Sequence, residues 1–170
     1  MRLAPTLTTE RLTLRPFVLE DYPYVYKWCS SLRCAEFLFW LPHRDEETTE
    51  KIVAKWVRKR RNYSWALVHD GVPIGEVEVI KDLPDGGFEL GYILVDGEWG
   101  RGYMSEALKA ILPYLFSSGY EYCFAETDAR NEKSQHLLAK MGFSYLETEK
   151  GRLIEKKNER VDVAKYRLDK

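Results

Sequence analysis

The chain of 170 residues has almost no net charge, −1 at pH 7 from 26 basic and 27 acidic side chains. No overall field would therefore draw it to nucleic acid or to an anionic membrane. No apolar run approaches the roughly 20 residues that span a bilayer. Met1-Arg2-Leu3-Ala4-Pro5-Thr6 lacks the apolar core of a secretory leader, so a cytoplasmic protein without a membrane partner is expected. Cysteine is scarce: Cys29, Cys34 and Cys123 are odd in number and lack metal-type spacing, while His43, His69 and His136 are scattered. No metal site is expected, and the cysteines read as buried or half-buried free thiols. No repeat or low-complexity linker divides the sequence, so residues 1–170 are expected to form a single domain with a sizeable core. These absences leave a soluble globular chain whose partners are small molecules or proteins.

The organising stretch runs from Phe88 to Gly119. Bulky residues at 88, 90, 92 and 94 alternate with Glu89, Gly91, Ile93 and Val95, the period of a strand. Asp96-Gly97-Glu98-Trp99-Gly100-Arg101-Gly102 is then a glycine-rich loop. From Tyr103, apolar residues recur at Met104, Ala107, Leu108, Ile111 and Leu115, a helical spacing that closes at Gly119. A strand, a glycine loop and a helix start present consecutive backbone N–H groups without intrahelical partners, at the positive end of the dipole. Such a turn suits a phosphate or pyrophosphate, and Gly100 and Gly102 let an anion approach the backbone.

Ahead of this stretch, Thr9 to Pro16 alternates as a first strand stopped by Pro16, and a helix follows from Glu20 and Asp21 through Trp28. Ser31 to Arg44 is aromatic-rich and irregular; Phe37, Phe39 and Trp40 form either a loop packed on the core or a wall of a substrate cleft. A second helix starts at Asp45 and ends in Arg58-Lys59-Arg60-Arg61, read either as a cationic turn matched to the dipole or as a patch for an acidic substrate or RNA. Tyr63 to His69 and Val72 to Lys81 form a hairpin around Asp70-Gly71, and Pro84 to Gly87 turns the chain into the central strand. Pro113 removes one hydrogen bond from the central helix and favours a kink. Beyond that helix come a strand at 120–127, a short helix at 131–141 stopped by Gly142, and strands at 143–148 and 161–168 around the charged, poorly patterned Glu155 to Arg160. Consecutive strands imply antiparallel pairing, while the strand, helix, strand unit over 88–127 implies a right-handed parallel crossover. The fold class is therefore α/β: a mixed, mostly antiparallel twisted sheet of seven strands with about four helices.

The element order, Glu98-Trp99-Gly100-Arg101-Gly102-Tyr103-Met104-Ser105 at the turn, and Asn131-Glu132-Lys133-Ser134 ahead of Lys140-Met141-Gly142-Phe143 together resemble the GNAT superfamily of N-acetyltransferases. Thr9 to Arg15 is similar to the opening strand of the branch that contains the ribosomal-protein acetyltransferases RimJ and RimL. The resemblance implies a V-shaped splay between the two central parallel strands and acetyl-CoA as co-substrate, with no metal. Its pyrophosphate would rest on Arg101, Gly102, Tyr103, Met104 and Ser105, and its pantetheine arm along Ile93, Leu94 and Val95, with Asn131 and Ser134 at the thioester end. Asn131 would equally serve as an N-cap. Three positions depart from the family: Trp99 stands where Gln or Arg is usual, Met104 where Gly or Ala is usual, and Leu138 where the family has a tyrosine acid.

Acetyl transfer to an amine needs a base, a polarised thioester carbonyl and a proton for the leaving thiolate. Glu89 is the candidate base, on the strand that leads to the thioester, with Glu76 and Glu78 in reserve. The amide of Leu94 or Val95 would polarise the carbonyl. By the resemblance, Ser134 is the candidate donor to the sulfur. The acceptor implied is a protein N-terminal α-amine. The alternatives are a small amine, such as a polyamine, an amino-acid derivative or an aminoglycoside, or a non-catalytic acyl-CoA-binding module. Edge strands at both ends of the sheet leave monomer and homodimer open.

Overall fold

A computed structural model of the chain describes residues 4–59 and 63–170. Met1-Arg2-Leu3 and, of the basic run at 58–61, Arg60 and Arg61 lie outside the described residues. The strands are β1 (Leu7–Thr8), β2 (Thr13–Arg15), β3 (Ser64–His69), β4 (Val72–Leu83), β5 (Gly87–Leu94), β6 (Tyr122–Asp128), β7 (Ser144–Ile154) and β8 (Glu159–Asp169). The helices are α1 (Tyr22–Cys29), α2 (Leu32–Ala35), α3 (Glu46–Lys59), α4 (Tyr103–Ser117) and α5 (Glu132–Lys140).

The strands form one eight-stranded sheet in the order β1-β2-β3-β4-β5-β6-β8-β7. Every neighbouring pair is antiparallel except β5 and β6. The class is the expected one, with one more strand and one more helix. The strand expected from Thr9 begins only at Thr13, and the added strand β1 precedes it, because Thr9 closes a turn: its N–H donates to Leu12 O at 2.9 Å and its Oγ1 accepts from Leu12 N at 3.0 Å. The threonine hydroxyl offers the backbone a local partner in place of the ladder, so β1 folds back on β2. The added helix, α2, is a single turn inside the aromatic segment, capped by Ser31 Oγ, which accepts from Cys34 N. Helix α4 continues through Pro113, which stands exposed.

The sheet separates two layers. Phe88 and Leu90 of β5 pack with Ala107, Leu108, Ile111 and Leu115 of α4 and Leu138 of α5 in the main core. On the other face, Val25 and Trp28 of α1 and Val53 of α3 pack on Ala66 and Val68, with Ile93 of β5 against them. The alternation read in Phe88 to Val95 thus separates two sides of the sheet. The central parallel pair is short: Gly87, Phe88 and Glu89 pair with Tyr122, Cys123 and Phe124. Beyond these rungs β5 stays on β4 as far as Leu94, while β6 follows β8 as far as Asp128, and the two strands part.

The start of α4 is tied to the N-terminal strands through Glu106. Its carboxylate accepts from Thr9 Oγ1 at 2.6 Å, Arg11 N at 2.8 Å and Arg11 Nε at 2.7 Å. Burial alone would push the Glu106 carboxyl up, but the Thr9 hydroxyl and the Arg11 amide and guanidinium outweigh it and hold the group below its usual value. A depressed folded value gives stability that is present above the unfolded carboxylate pKa of about 4.3 and lost as pH falls through the folded value. Glu106→Gln should cost about 1–3 kcal/mol at neutral pH. In urea melts, the gap between wild type and variant should close as the pH is lowered below the ordinary carboxylate range; a gap that widens in acid contradicts this role.

Candidate active site

Past the last β5–β6 rung, the parting strands open a cleft of about 860 Å³, lined from both layers of the sheet. The strand contributes Tyr92, Ile93 and Leu94, the loop Trp99, Gly100 and Gly102, and the first turn of α4 Tyr103, Met104 and Ser105. Helix α5 supplies Asn131, Lys133 and Ser134 from the facing wall, and the α2 segment supplies Arg33, Cys34 and Phe37. The loop can make this approach because Gly100 and Gly102 are left-handed, with φ of +78° and +84°. Gly102 occupies the N-cap of α4 with no side-chain hydrogen bond, so no side chain covers the first-turn amides. Arg33, Arg130, Lys133 and Lys140 line the cleft against Glu36 and Glu132, an excess of positive charge that suits a polyanion.

Of the residues singled out in the sequence, Ile93, Leu94, Gly102, Tyr103, Met104, Ser105, Asn131 and Ser134 come together on this cleft. Arg101 is not among the lining residues: its guanidinium lies 3.2 Å from Glu98 and its carbonyl accepts from Arg11 Nη1 at 3.0 Å. Val95 is also outside, its N–H committed to Ile74 O at 2.9 Å. Because backbone groups alternate along a strand, the Leu94 amide points the other way, into the splay. Of the two amides considered for the thioester carbonyl, that of Val95 is committed to β4 and that of Leu94 faces the splay. Its carbonyl is covered from within the chain by the Trp99 indole N–H at 2.7 Å and by Cys34 Sγ at 3.7 Å. Trp99 also carries the Lys133 ammonium 4.4 Å above its ring. Burial pushes the Cys34 thiol up, so it stays protonated in the cleft wall.

Asn131 is the N-cap of α5, its Oδ1 accepting from Ser134 N at 3.1 Å. The Ser134 hydroxyl meets the Tyr92 hydroxyl at 2.7 Å. Sequence reasoning counted Tyr92 only as a bulky strand residue. The available signal was its polar tip at the strand end, on the face shared with α5. Burial pushes the Tyr92 phenol up, with the Ser134 hydrogen bond opposing, so Tyr92 remains protonated and able to donate. Leu138, at the position of the family tyrosine, is fully buried in the main core. The aromatic segment divides between its two readings. Phe37 lines the cleft, whereas Phe39 packs on Ile154, Val161 and Val163, and Trp40 packs on the α1 side.

Glu89 is not on the cleft wall. It stands on the opposite face at the last rung before the splay, 7% exposed, with Oε2 2.7 Å from Lys81 Nζ. Glu76 and Glu78 lie on the neighbouring β4 rungs, opposite Ile93 and Gly91; Glu76 accepts from Ser64 Oγ at 3.1 Å. Uncapped amides at the start of α4, an inward strand amide and a hydroxyl pair therefore border one cleft, and a carboxylate stands outside it at the apex of the V. Among the described residues no group of His, Cys, Asp and Glu could hold a metal ion, and no helix is long and apolar enough to cross a membrane.

The left-handed Gly102 gives a direct check of the loop. A Cβ there meets only Arg11 Nη2, at 3.5 Å, so Gly102→Ala adds backbone strain of about 1–2 kcal/mol without a clash. Calorimetry with CoA should show binding weakened about tenfold or more as the first-turn amides shift; unchanged affinity would place the anion elsewhere.

Residues 11–144 match the family model described as an acetyltransferase (GNAT) domain. An uncharacterised N-acetyltransferase, p20, of Bacillus licheniformis is 28% identical over 163 residues, covering 88% of this chain and 92% of that protein. Among solved structures, a GNAT-family acetyltransferase from Bacillus anthracis superposes with a TM-score of 0.86 at 22% identity, covering 97% of this chain and 98% of the other. RimL, a ribosomal L7/L12 alpha-N-protein acetyltransferase in complex with coenzyme A, superposes with a TM-score of 0.82 at 18% identity, covering 99% of this chain and 98% of its own. At these identities the structural likeness speaks to the fold, whereas the match over 11–144 takes in the splay, the glycine loop and α5. The chain belongs to the GNAT family of acetyltransferases.

Proposed function

We propose that the chain, as one catalytic unit in the cytoplasm, transfers the acetyl group of acetyl-CoA to a primary amine, with a protein N-terminal α-amine as the leading acceptor. The observation that carries this reading is the cleft itself: uncovered amides at the start of α4, the inward Leu94 amide and the Ser134 hydroxyl all open on one space. The pyrophosphate binds the amides of Tyr103, Met104 and Ser105, and the cationic walls add charge. The pantetheine arm runs along β5, and the Leu94 N–H polarises the thioester carbonyl. The amine approaches from the other face, where Glu89 takes its proton. Ser134, held by Tyr92, donates to the sulfur as the thiolate leaves. The α-amine preference takes its support from RimL, whose name states that activity.

One contact favours the second reading, a small amine. Lys157 Nζ donates to Ala35 O at 2.8 Å and Glu36 O at 2.9 Å, drawing the turn between β7 and β8 onto α2 and narrowing the approach for a peptide.

Turnover of acetyl-CoA with a panel of N-terminal peptides, polyamines, amino-acid derivatives and aminoglycosides separates the readings. Tight binding without turnover on any amine would leave a non-catalytic acyl-CoA-binding module. On an accepted amine, Glu89→Gln should lower kcat about 100-fold or more with acetyl-CoA affinity unchanged. Ser134→Ala and Tyr92→Phe should each lower kcat about tenfold. Wild-type rates in all three variants would sink these assignments.

A further inference from the structure

A second hollow lies between α1 and the start of β4, and it shares no lining residue with the cleft. Its volume is about 270 Å³, below the roughly 300–1,000 Å³ of pockets that take drug-sized ligands. One wall is the face of α1 that carries Tyr24, Lys27 and Trp28, spaced three and four residues apart. The other is the loop after β5, with Asp96 and Glu98. Two residues of these walls each carry a buried polar atom that makes no hydrogen bond among the described residues: the indole N–H of Trp28, a donor, and Oε2 of Glu98, an acceptor. Trp28 is fully buried, so water does not stand in for the missing partner. The Arg101 guanidinium lies 3.2 Å from Glu98 Oε2 but without the geometry of a hydrogen bond. Buried donors and acceptors nearly always have partners and are costly to leave without them, and here one of each kind borders the same small space.

We propose that this hollow binds a compact apolar α-amino acid. Its carboxylate accepts from Trp28 Nε1 and faces the Lys27 ammonium, which lies 5.1 Å above the Tyr24 ring. Its ammonium donates to Glu98 Oε2 and faces Asp96. Each of these acids also has an arginine 3.2 Å away, Arg101 beside Glu98 and Arg33 beside Asp96, and a carboxylate has lone pairs enough for both partners. The side chain rests on Val72, Ile74 and Val95. Donor and cation stand on one wall and both carboxylates on the other, which is the arrangement a zwitterion requires. A simple acid would leave Glu98 without a donor, and a simple amine would leave Trp28 without an acceptor. The occupant sits beside the loop that continues into Trp99 and the glycine turn, outside the gap where the strands part, so the inference stands apart from the reading of the cleft.

The five tryptophans give five indole N–H resonances, and the one missing from Trp28→Phe belongs to Trp28. Should that variant fail to fold, through-bond assignment of the wild type identifies the same resonance. The whole chain, with and without excess CoA, is titrated with L-leucine, with isocaproate, which lacks the ammonium, and with isoamylamine, which lacks the carboxylate. The Trp28 resonance should move downfield and saturate with leucine, whether or not CoA is present, and each analogue should bind at least about tenfold more weakly. Lys27→Ala, a change at the exposed rim, should weaken leucine about fivefold and leave CoA affinity unchanged. A Trp28 resonance that stays in place at about 20 mM leucine, well above a millimolar Kd, overturns the proposal. So does an analogue that binds as tightly as leucine, or leucine affinity that Lys27→Ala does not change. Loss of the shift on adding CoA would put leucine in the cleft and overturns it as well.

Discussion

Everything distinctive in this molecule depends on the shortness of one parallel pairing. β5 and β6 share rungs only at Gly87, Phe88 and Glu89 before antiparallel partners pull them apart, β4 on one side and β8 on the other. Parallel pairing is slightly weaker per residue than antiparallel pairing, so the long ladders on either side decide the outcome. The unpaired edge of β5 past Glu89 would be costly if buried without partners. Here the Trp99 indole covers the Leu94 carbonyl, and the opposing amide is left facing the cleft. A ligand that offers strand-like hydrogen bonds would complete the sheet.

The splay also separates the chemistry by face. Alternation along β5 sends Tyr92 toward α5, where it meets Ser134, and Glu89 to the opposite face, where it meets Lys81. The two faces of the gap thus carry different charge. The cleft side carries Arg33, Lys133 and Lys140, whereas the apex on the other side is built from Glu89, Glu126, Lys81 and Arg152. Glu106 fixes the geometry by holding Thr9 and Arg11 to the first turn of α4, and Arg11 continues to the Arg101 carbonyl. The glycine loop is thereby held from outside, and its amides remain uncovered.

Local signals made most of this legible in the sequence. Period-two alternation placed the faces of β5, Gly100 and Gly102 marked the left-handed turn, and Asp70-Gly71 marked the hairpin. What escaped depended on contacts distant in sequence or on side chains overriding the local pattern. Thr9 closed a turn inside an apparently continuous strand, and the Arg101 guanidinium, read either as a contact to the anion or as an exposed loop arginine, lies beside Glu98. The bulge before Lys81 interrupted the parity that would have put it in the core. Tyr92 looked like one more core residue because its partner, Ser134, lies 42 positions away. Glu89 was readable as a residue of β5 on the face opposite Phe88 and Leu90, but its pairing with Lys81 was not.

The central claim is that the parted strands and the start of α4 form one donor site. Amide-resolved NMR of the protein titrated with CoA tests it most directly. The account predicts the largest shifts, and slowed hydrogen exchange, at Leu94 and at Tyr103, Met104 and Ser105. Saturable shifts that leave these four amides unmoved and cluster instead beside Trp28 and Ile74, at the hollow between α1 and β4, would contradict it.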